Sequence, residues 1–447
     1  MVPISNQEIL MAAAISSSPE SKEFPDWVLL LPVGRTRCYA DAGAASAAVK
    51  DDPTAVAADT SNNRSGYLSF TLSPTPKVSY LDLHWPYDIP DAPAGLSASS
   101  SFVSVDENLL LIRIDQYPRG SDLFVYTARA PSPPSLRRLP ACDKVIQGLA
   151  GRSRFLELVT DIGIMRRGDE DDYVVSDLTV SFKEGVNVGH DNDLPPMMAV
   201  LGTFSSKTGE WTKKEMRAPQ PRGQNQFPLL WTCDGVVPFV GRYLCWVDYY
   251  SGLLIRDFSD EDSPCLSYVP FPAGGKQYSD KTRVDRNIPE SFRRVAVSQG
   301  VVRFIHIGDD YWQETGGGLK VTVWNLKMVD SHGNWDVHHV IRLDNLWAHP
   351  TYLDHSLPRS QLEFPLVLKN DPGALFCVLR EEECDGKTWI IKLDMIHLAI
   401  TSAIPYTTEE IGNSGVAYES KVMSMNVGPP LIPSGFSKYL KNPLGNS

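Results

Sequence analysis

The chain has 447 residues, of which 42% are apolar and 21% charged, the composition of a globular protein able to bury a sizeable core. A net charge of −12 repels phosphate backbones and argues against nucleic-acid binding. No apolar run reaches the ~18 residues of a membrane span, and no Lys or Arg precedes Lys22, so the basic start of a secretory signal is missing. These features predict a cytoplasmic or nuclear protein that engages no membrane. The seven cysteines are odd in number and irregularly spaced, the pattern of reduced thiols.

Residues 1–23 read as a flexible N-terminal tail. Structure is expected to begin at Phe24 in "FPDWVLLLPVGRTRCYA", which carries Trp27. Residues 41–65 are rich in Ala, Ser, Asp and Asn and read as a loop, with a short helix through Ala44–Val49 that Pro53 would stop. From there, short β-branched or aromatic runs recur between Gly, Pro, Asp, Asn and Ser, among them "YLSFTLS", "FVSVDENLLLIRI", "VVRFIHI" and "KVTVWNL"; these are strands. Thirty-four Pro and 32 Gly supply the turns that many short strands need. "NQEILMAAAIS" and "PSGFSKYLKN" are the candidate short helices.

Three hairpins share a glycine turn followed by tryptophan: Gly209 with Trp211, Gly333 with Trp335, and Gly386 with Trp389. A fourth turns at Ser251-Gly252, after Trp246-Val247-Asp248. Glycine serves turns that need positive φ. The turn glycines at 209, 252, 333 and 386 fit a repeat of roughly 40–50 residues if one is missing. The expected fold is all-β: a β-propeller-like domain of about six blades over 24–440, with a C-terminal tail at 441–447. Two packed β-sandwich or barrel domains are the alternative. Long acidic and Pro-rich loops are expected near 88–100, 164–196 and 257–292.

At "FPDWVLLLPVGRT", "GRYLCWVDYYSGLLIRDF", "VVRFIHI" and "PSGFSKYL" the chain resembles a family of plant proteins expanded in cereal grasses and catalogued as domain of unknown function 1618. The likeness is centred on Trp246-Val247-Asp248 and Ser251-Gly252-Leu253-Leu254. It departs from the family at Leu31-Pro32, where an Asp is usual between the two. The resemblance implies hairpin units similar to those of kelch-like, F-box-associated propellers. It carries no catalytic residue and no cofactor.

Motifs for chemistry are weak. Gly386-Lys387-Thr388 ends like a phosphate-binding loop, but "WIIKLDM" after it reads as a strand, so no helix N-terminus faces the phosphate. Gly316-Gly317-Gly318 precedes a strand instead of following one. His332, His338, His339, His349 and His355 cluster in sequence, yet His338 and His339 are adjacent in a strand and should point to opposite faces, so no metal site is assigned. Cys377 and Cys384 flank a turn and read as free thiols. The carboxylate runs at Asp169–Asp172 and in "DFSDEDS" are solvated loops. Trp27, Trp211, Trp246, Asp248, Gly252, Trp335 and Trp389 are read as structural signature residues, with Trp211, Trp335 and Trp389 at equivalent places in the repeat and packing blades together. No catalytic residue and no cofactor is assigned. The expected function is a non-enzymatic scaffold whose rim loops hold an unknown protein partner. A small-molecule or glycan binder is the alternative and an unrecognised hydrolase a third. Oligomeric state is left open.

Overall fold

The computed structural model describes residues 24–86, 98–116, 120–141, 160–168, 172–182, 197–219, 227–228, 231–259, 265–272, 288–308, 318–329, 332–381, 386–406 and 431–441. The expected tail at 1–23, the helix in "NQEILMAAAIS" and residues 442–447 lie outside them, as do most of the loop near 88–100 and Cys142 and Cys384.

The chain forms a six-bladed β-propeller. Blades 2–6 are four-stranded antiparallel meanders. Blade 2 is β6 (Ala98–Asp106), β7 (Leu109–Gln116), β8 (Gly120–Thr127) and β9 (Ser135–Arg138). Blade 3 is β10 (Ile162–Arg166), β11 (Tyr173–Phe182), β12 (Met197–Ser205) and β13 (Trp211–Arg217). Blade 4 is β14 (Gly235–Phe239), β15 (Tyr243–Asp248), β16 (Gly252–Asp257) and β17 (Leu266–Pro270). Blade 5 is β18 (Arg293–Ser298), β19 (Val301–Gly308), β20 (Lys320–Val329) and β21 (His332–Arg342). Blade 6 is β22 (Leu362–Leu368), β23 (Asp371–Arg380), β24 (Thr388–Asp394) and β25 (Ala399–Pro405). In each, the first strand lies innermost and the last at the rim.

Blade 1 is built differently. Its strands are β1 (Val28–Leu30), β2 (Arg35–Tyr39), β3 (Val56–Asp59), β4 (Ser65–Thr71), β5 (Val78–Pro86) and the C-terminal β26 (Ile432–Ser434), in the order β26-β1-β5-β4-β3 with β2 also on β5. Both β1 and β2 run parallel to β5, which requires a crossover. Helix α1 (Ala42–Ala48) supplies it, its N-terminus capped by Asp41 Oδ1 accepting from Ala44 N at 2.8 Å. Two further short helices, α2 (Leu343–Trp347) and α3 (Pro350–Asp354), join blades 5 and 6. The expected helix in "PSGFSKYLKN" is a 3-10 turn at Phe436–Leu440.

A propeller core is divided between its blades. Six apolar clusters occur among the described residues, one in each space between consecutive blades. The second strands are therefore covered on both faces, which is why β7 reads "LLLIRIDQ" with every residue buried.

The hairpins are where the sequence puts them, but the repeat is not. Inner strands start at residues 98, 162, 235, 293 and 362, so successive blades lie 58 to 73 residues apart, not 40–50. The turn glycines belong to different hairpins of their blades, so their spacing does not measure the period. Gly209, with φ +74°, is a true turn glycine. Gly333 lies within β21, paired with Met328; a Cβ there would come within 2.6 Å of the Val269 side chain in blade 4. It is glycine because of a close approach between blades. The segments expected as loops at 164–196 and 257–292 contain the strands β11 and β17: alternation in "YVVSDLTV" and "LSYVP" outweighs their acidic flanks.

Gly252 faces a similar constraint, since a Cβ would sit 2.3 Å from the Val269 carbonyl oxygen. Backbone cannot yield as a side-chain tip can, so Gly252→Ala should destabilise the protein by about 2 kcal/mol or more. Urea unfolding of the variant should show a lowered midpoint.

Candidate functional site

The inner strands surround a central channel of about 240 Å³. Its wall is largely apolar, with Val105, Val236, Val297 and Val367 contributed by four different blades. Charged groups sit at its two mouths. One mouth lies on the face where the first two strands of each blade turn into one another, and there Glu107 is the hub. Glu107 accepts from the Tyr439 hydroxyl at 2.6 Å and forms ion pairs with Lys369 of blade 6 and, at 3.6 Å, with Lys438. Burial alone would raise the Glu107 carboxyl. The hydrogen bonds from Lys369 and Tyr439, with the charges of Lys369 and Lys438, outweigh it and hold the group at about 2. Asp106 beside it accepts from Arg166 N at 2.9 Å, and burial pushes its carboxyl upward against the pull of Lys369.

At the opposite mouth stand Asp234, Tyr249, Glu290 and Arg294. Asp234 Oδ2 accepts from Tyr249 N at 2.7 Å, and burial pushes the Tyr249 hydroxyl up to about 12. Arg294 Nη2 donates to the Leu431 carbonyl at 3.3 Å, tying blade 5 to the entry of the closing strand.

The tryptophans expected to hold blades together occupy several positions. Trp211 and Trp335 are equivalent. Each lies on the outermost strand of its blade and donates from Nε1 to a proline carbonyl at the rim of the preceding blade, Pro140 at 3.0 Å and Pro270 at 2.9 Å. Trp246 is fully buried on a second strand and makes a comparable clasp to the Asp161 carbonyl at 2.9 Å. Trp389 lies on a third strand, so it is not equivalent to Trp211 and Trp335; it packs at the edge of the cluster between blades 5 and 6. Trp27 packs against Gly435, beneath the Lys438 ammonium at 5.9 Å. Asp248 is 1% exposed and accepts from Tyr250 N at 3.0 Å and Thr232 N at 3.1 Å. It fixes the hairpin that Gly252 completes. None of these seven converges on a cavity as a reactive set.

The histidines differ from expectation. A register shift between Val323 and Trp324 leaves His338 without a pairing partner in β21. This bulge turns the His338 and His339 rings to the same side, with centroids 4.4 Å apart, where simple alternation puts them on opposite faces. His349 caps α3 and bonds Thr351 Oγ1 at 2.9 Å. Among the described residues no three His, Cys, Asp or Glu side chains come together as a metal site.

One arrangement carries no sequence signal. Ser69 Oγ is 3.0 Å from His84 Nε2, and His84 Nδ1 is 2.8 Å from the Tyr39 hydroxyl. Three strands of blade 1 bring these residues together, beyond the reach of any local motif. Ser69 is 4% exposed, so the chain of hydrogen bonds ties β2, β4 and β5 together. Burial raises the thiols of Cys233, Cys245 and Cys377, Cys245 to about 12, which removes them as thiolate nucleophiles.

Residues 246–376, from β15 in blade 4 to β23 in blade 6, match the family model described as protein of unknown function (DUF1618). The match supports the family that the Trp246–Leu254 motif points to. No curated protein matches the chain. Among solved structures, the chain is similar to the WD40 domain of SCAP from fission yeast, with 9% identity, a TM-score of 0.28, and coverage of 76% of this chain and 72% of that one.

The Glu107 hub makes a pH prediction. Its folded pKa lies below the unfolded carboxylate value, so its contribution to stability is complete above about 4.3 and fades as pH falls toward about 2. Glu107→Gln should cost about 2 kcal/mol at neutral pH, and the gap from wild type should narrow through that acid window in thermal melts.

Proposed function

We propose that the protein is a non-enzymatic interaction scaffold and that the outer edge of blade 5 receives a protein partner. The observation that carries this reading is where the apolar surface lies. Of six exposed large apolar side chains among the described residues, Met328, Val337, Val340, Leu353 and Ile396 lie on blades 5 and 6 or the helices joining them. Val337 is 61% exposed and Val340 50%, both on β21, an eleven-residue strand whose outer edge pairs with no described strand. Such an edge offers backbone N–H and C=O groups to an extended segment, and the exposed valines offer it apolar contacts. The net charge of −12 favours a protein over a nucleic acid, in the cytoplasm or nucleus. The resemblance to plant, kelch-like, F-box-associated propellers fits a scaffold role.

The channel supports a second reading, a small-molecule or glycan binder. Its apolar wall and the Arg294 guanidinium at one mouth favour a small ligand, although about 240 Å³ is less than the usual ~300 Å³ of ligand pockets.

Exposed substitutions leave stability within about 0.5 kcal/mol, so Val337→Lys with Val340→Lys should fold normally. The paired variant should lose at least tenfold in partner recovery when both proteins are used as bait in extracts of the source tissue. Equal recovery by the two baits, or no reproducible partner for the wild type, would refute the reading.

A further inference from the structure

The second strand of blade 5 carries an arginine that the fold buries and leaves unpartnered. Arg303 is 5% exposed, and among the described residues its Nε and Nη1 have no hydrogen-bond partner. Burial is the one influence on its proton affinity, lowering it, with no carboxylate raising it. A buried cation without a counter-charge is costly, and groups of this kind are usually matched by something.

One neighbour is unmatched as well. Register places Ala296, Arg303, Asn325 and Asp336 in one row across the blade. Among the described residues Asn325 Oδ1 has no hydrogen-bond partner either. The row lies on the same side as Ile305 and Val323, which pack against Leu375 and Leu393 of blade 6, so it faces the groove between blades 5 and 6. His339 pairs with Val323 on that side, and the bulge brings the His338 ring beside it. Burial and the nearby Arg303 charge both hold the His338 imidazole below its usual range. Asp336, the carboxylate of the row, is engaged by Lys327 at the rim. His338 is exposed, so the cluster opens toward the outer edge of β21.

We infer that Arg303, Asn325, His338 and His339 form a binding site for a single carboxylate, supplied by an Asp or Glu side chain of the partner segment that docks on β21. The charge count selects the ligand. One guanidinium balances one negative charge, and its planar fork meets a carboxylate with two parallel N–H···O bonds; a phosphate would bring nearly two charges. Only the source of the carboxylate rests on the docking reading; the site itself does not.

Histidine ring resonances of the full chain, assigned with His338→Gln and His339→Gln, report on the site directly. Acetate should shift both rings saturably, and the shift should vanish in Arg303→Met. A short acetylated and amidated β-strand peptide containing Glu should bind at least tenfold more tightly than its Gln analogue. Arg303→Met should melt no lower than wild type, since it removes an unpaired buried charge. Val337→Lys with Val340→Lys should retain acetate binding while losing the peptide, which separates failure of the site from failure of the docking edge. The inference is overturned if acetate gives no saturable shift, if inorganic phosphate binds more tightly than acetate, or if Arg303→Met melts well below wild type. Equal binding of the Glu and Gln peptides overturns the partner as the source.

Discussion

Val28–Leu30 and Ile432–Ser434, from opposite ends of the described chain, pair antiparallel and close the ring of blades. Every apolar cluster of the described residues lies between two blades, so a gap anywhere in the circle would expose two of those faces to water. The closure is reinforced on both sides. Phe436, just beyond the closing strand, is fully buried against Phe70 and Tyr126, with ring centroids 4.9 and 6.2 Å away. Tyr439 and Lys438 reach Glu107 of blade 2, and Lys369 reaches the same carboxylate from blade 6. One half-buried acidic side chain thereby gathers three parts of the ring.

Blades are held to their neighbours by more than apolar area. Trp211, Trp246 and Trp335 each reach back to a carbonyl of the preceding blade, and the indole covers apolar surface while its N–H satisfies a backbone acceptor. Gly252 and Gly333 let backbone and side chains approach where Val269 is near. These contacts explain the signature residues as the fastenings of a rigid frame.

Blade 5 combines several irregular features. Its bulge, its exposed valines and its unpartnered arginine all lie on one outer hairpin or beside it. Arg303 and Asn325 share a row of blade 5 that runs outward to β21, whose outer edge pairs with no described strand.

The sequence by itself determined the strands, the hairpins and the all-β class, because alternation and turn chemistry act over a few residues. It also pointed to Trp246, Asp248 and Gly252 as one structural unit, since all three belong to a single hairpin. It misjudged the blade period because the visible glycine turns mark different corners of different blades. It misplaced His338 relative to His339 because a bulge depends on pairing with another strand. The mixed, crossover-built first blade, the Glu107 hub, the Ser69–His84–Tyr39 chain and the isolation of Arg303 were decided only by tertiary structure. Each joins residues from separate strands, or reports the absence of a neighbour, and neither is encoded in local spacing.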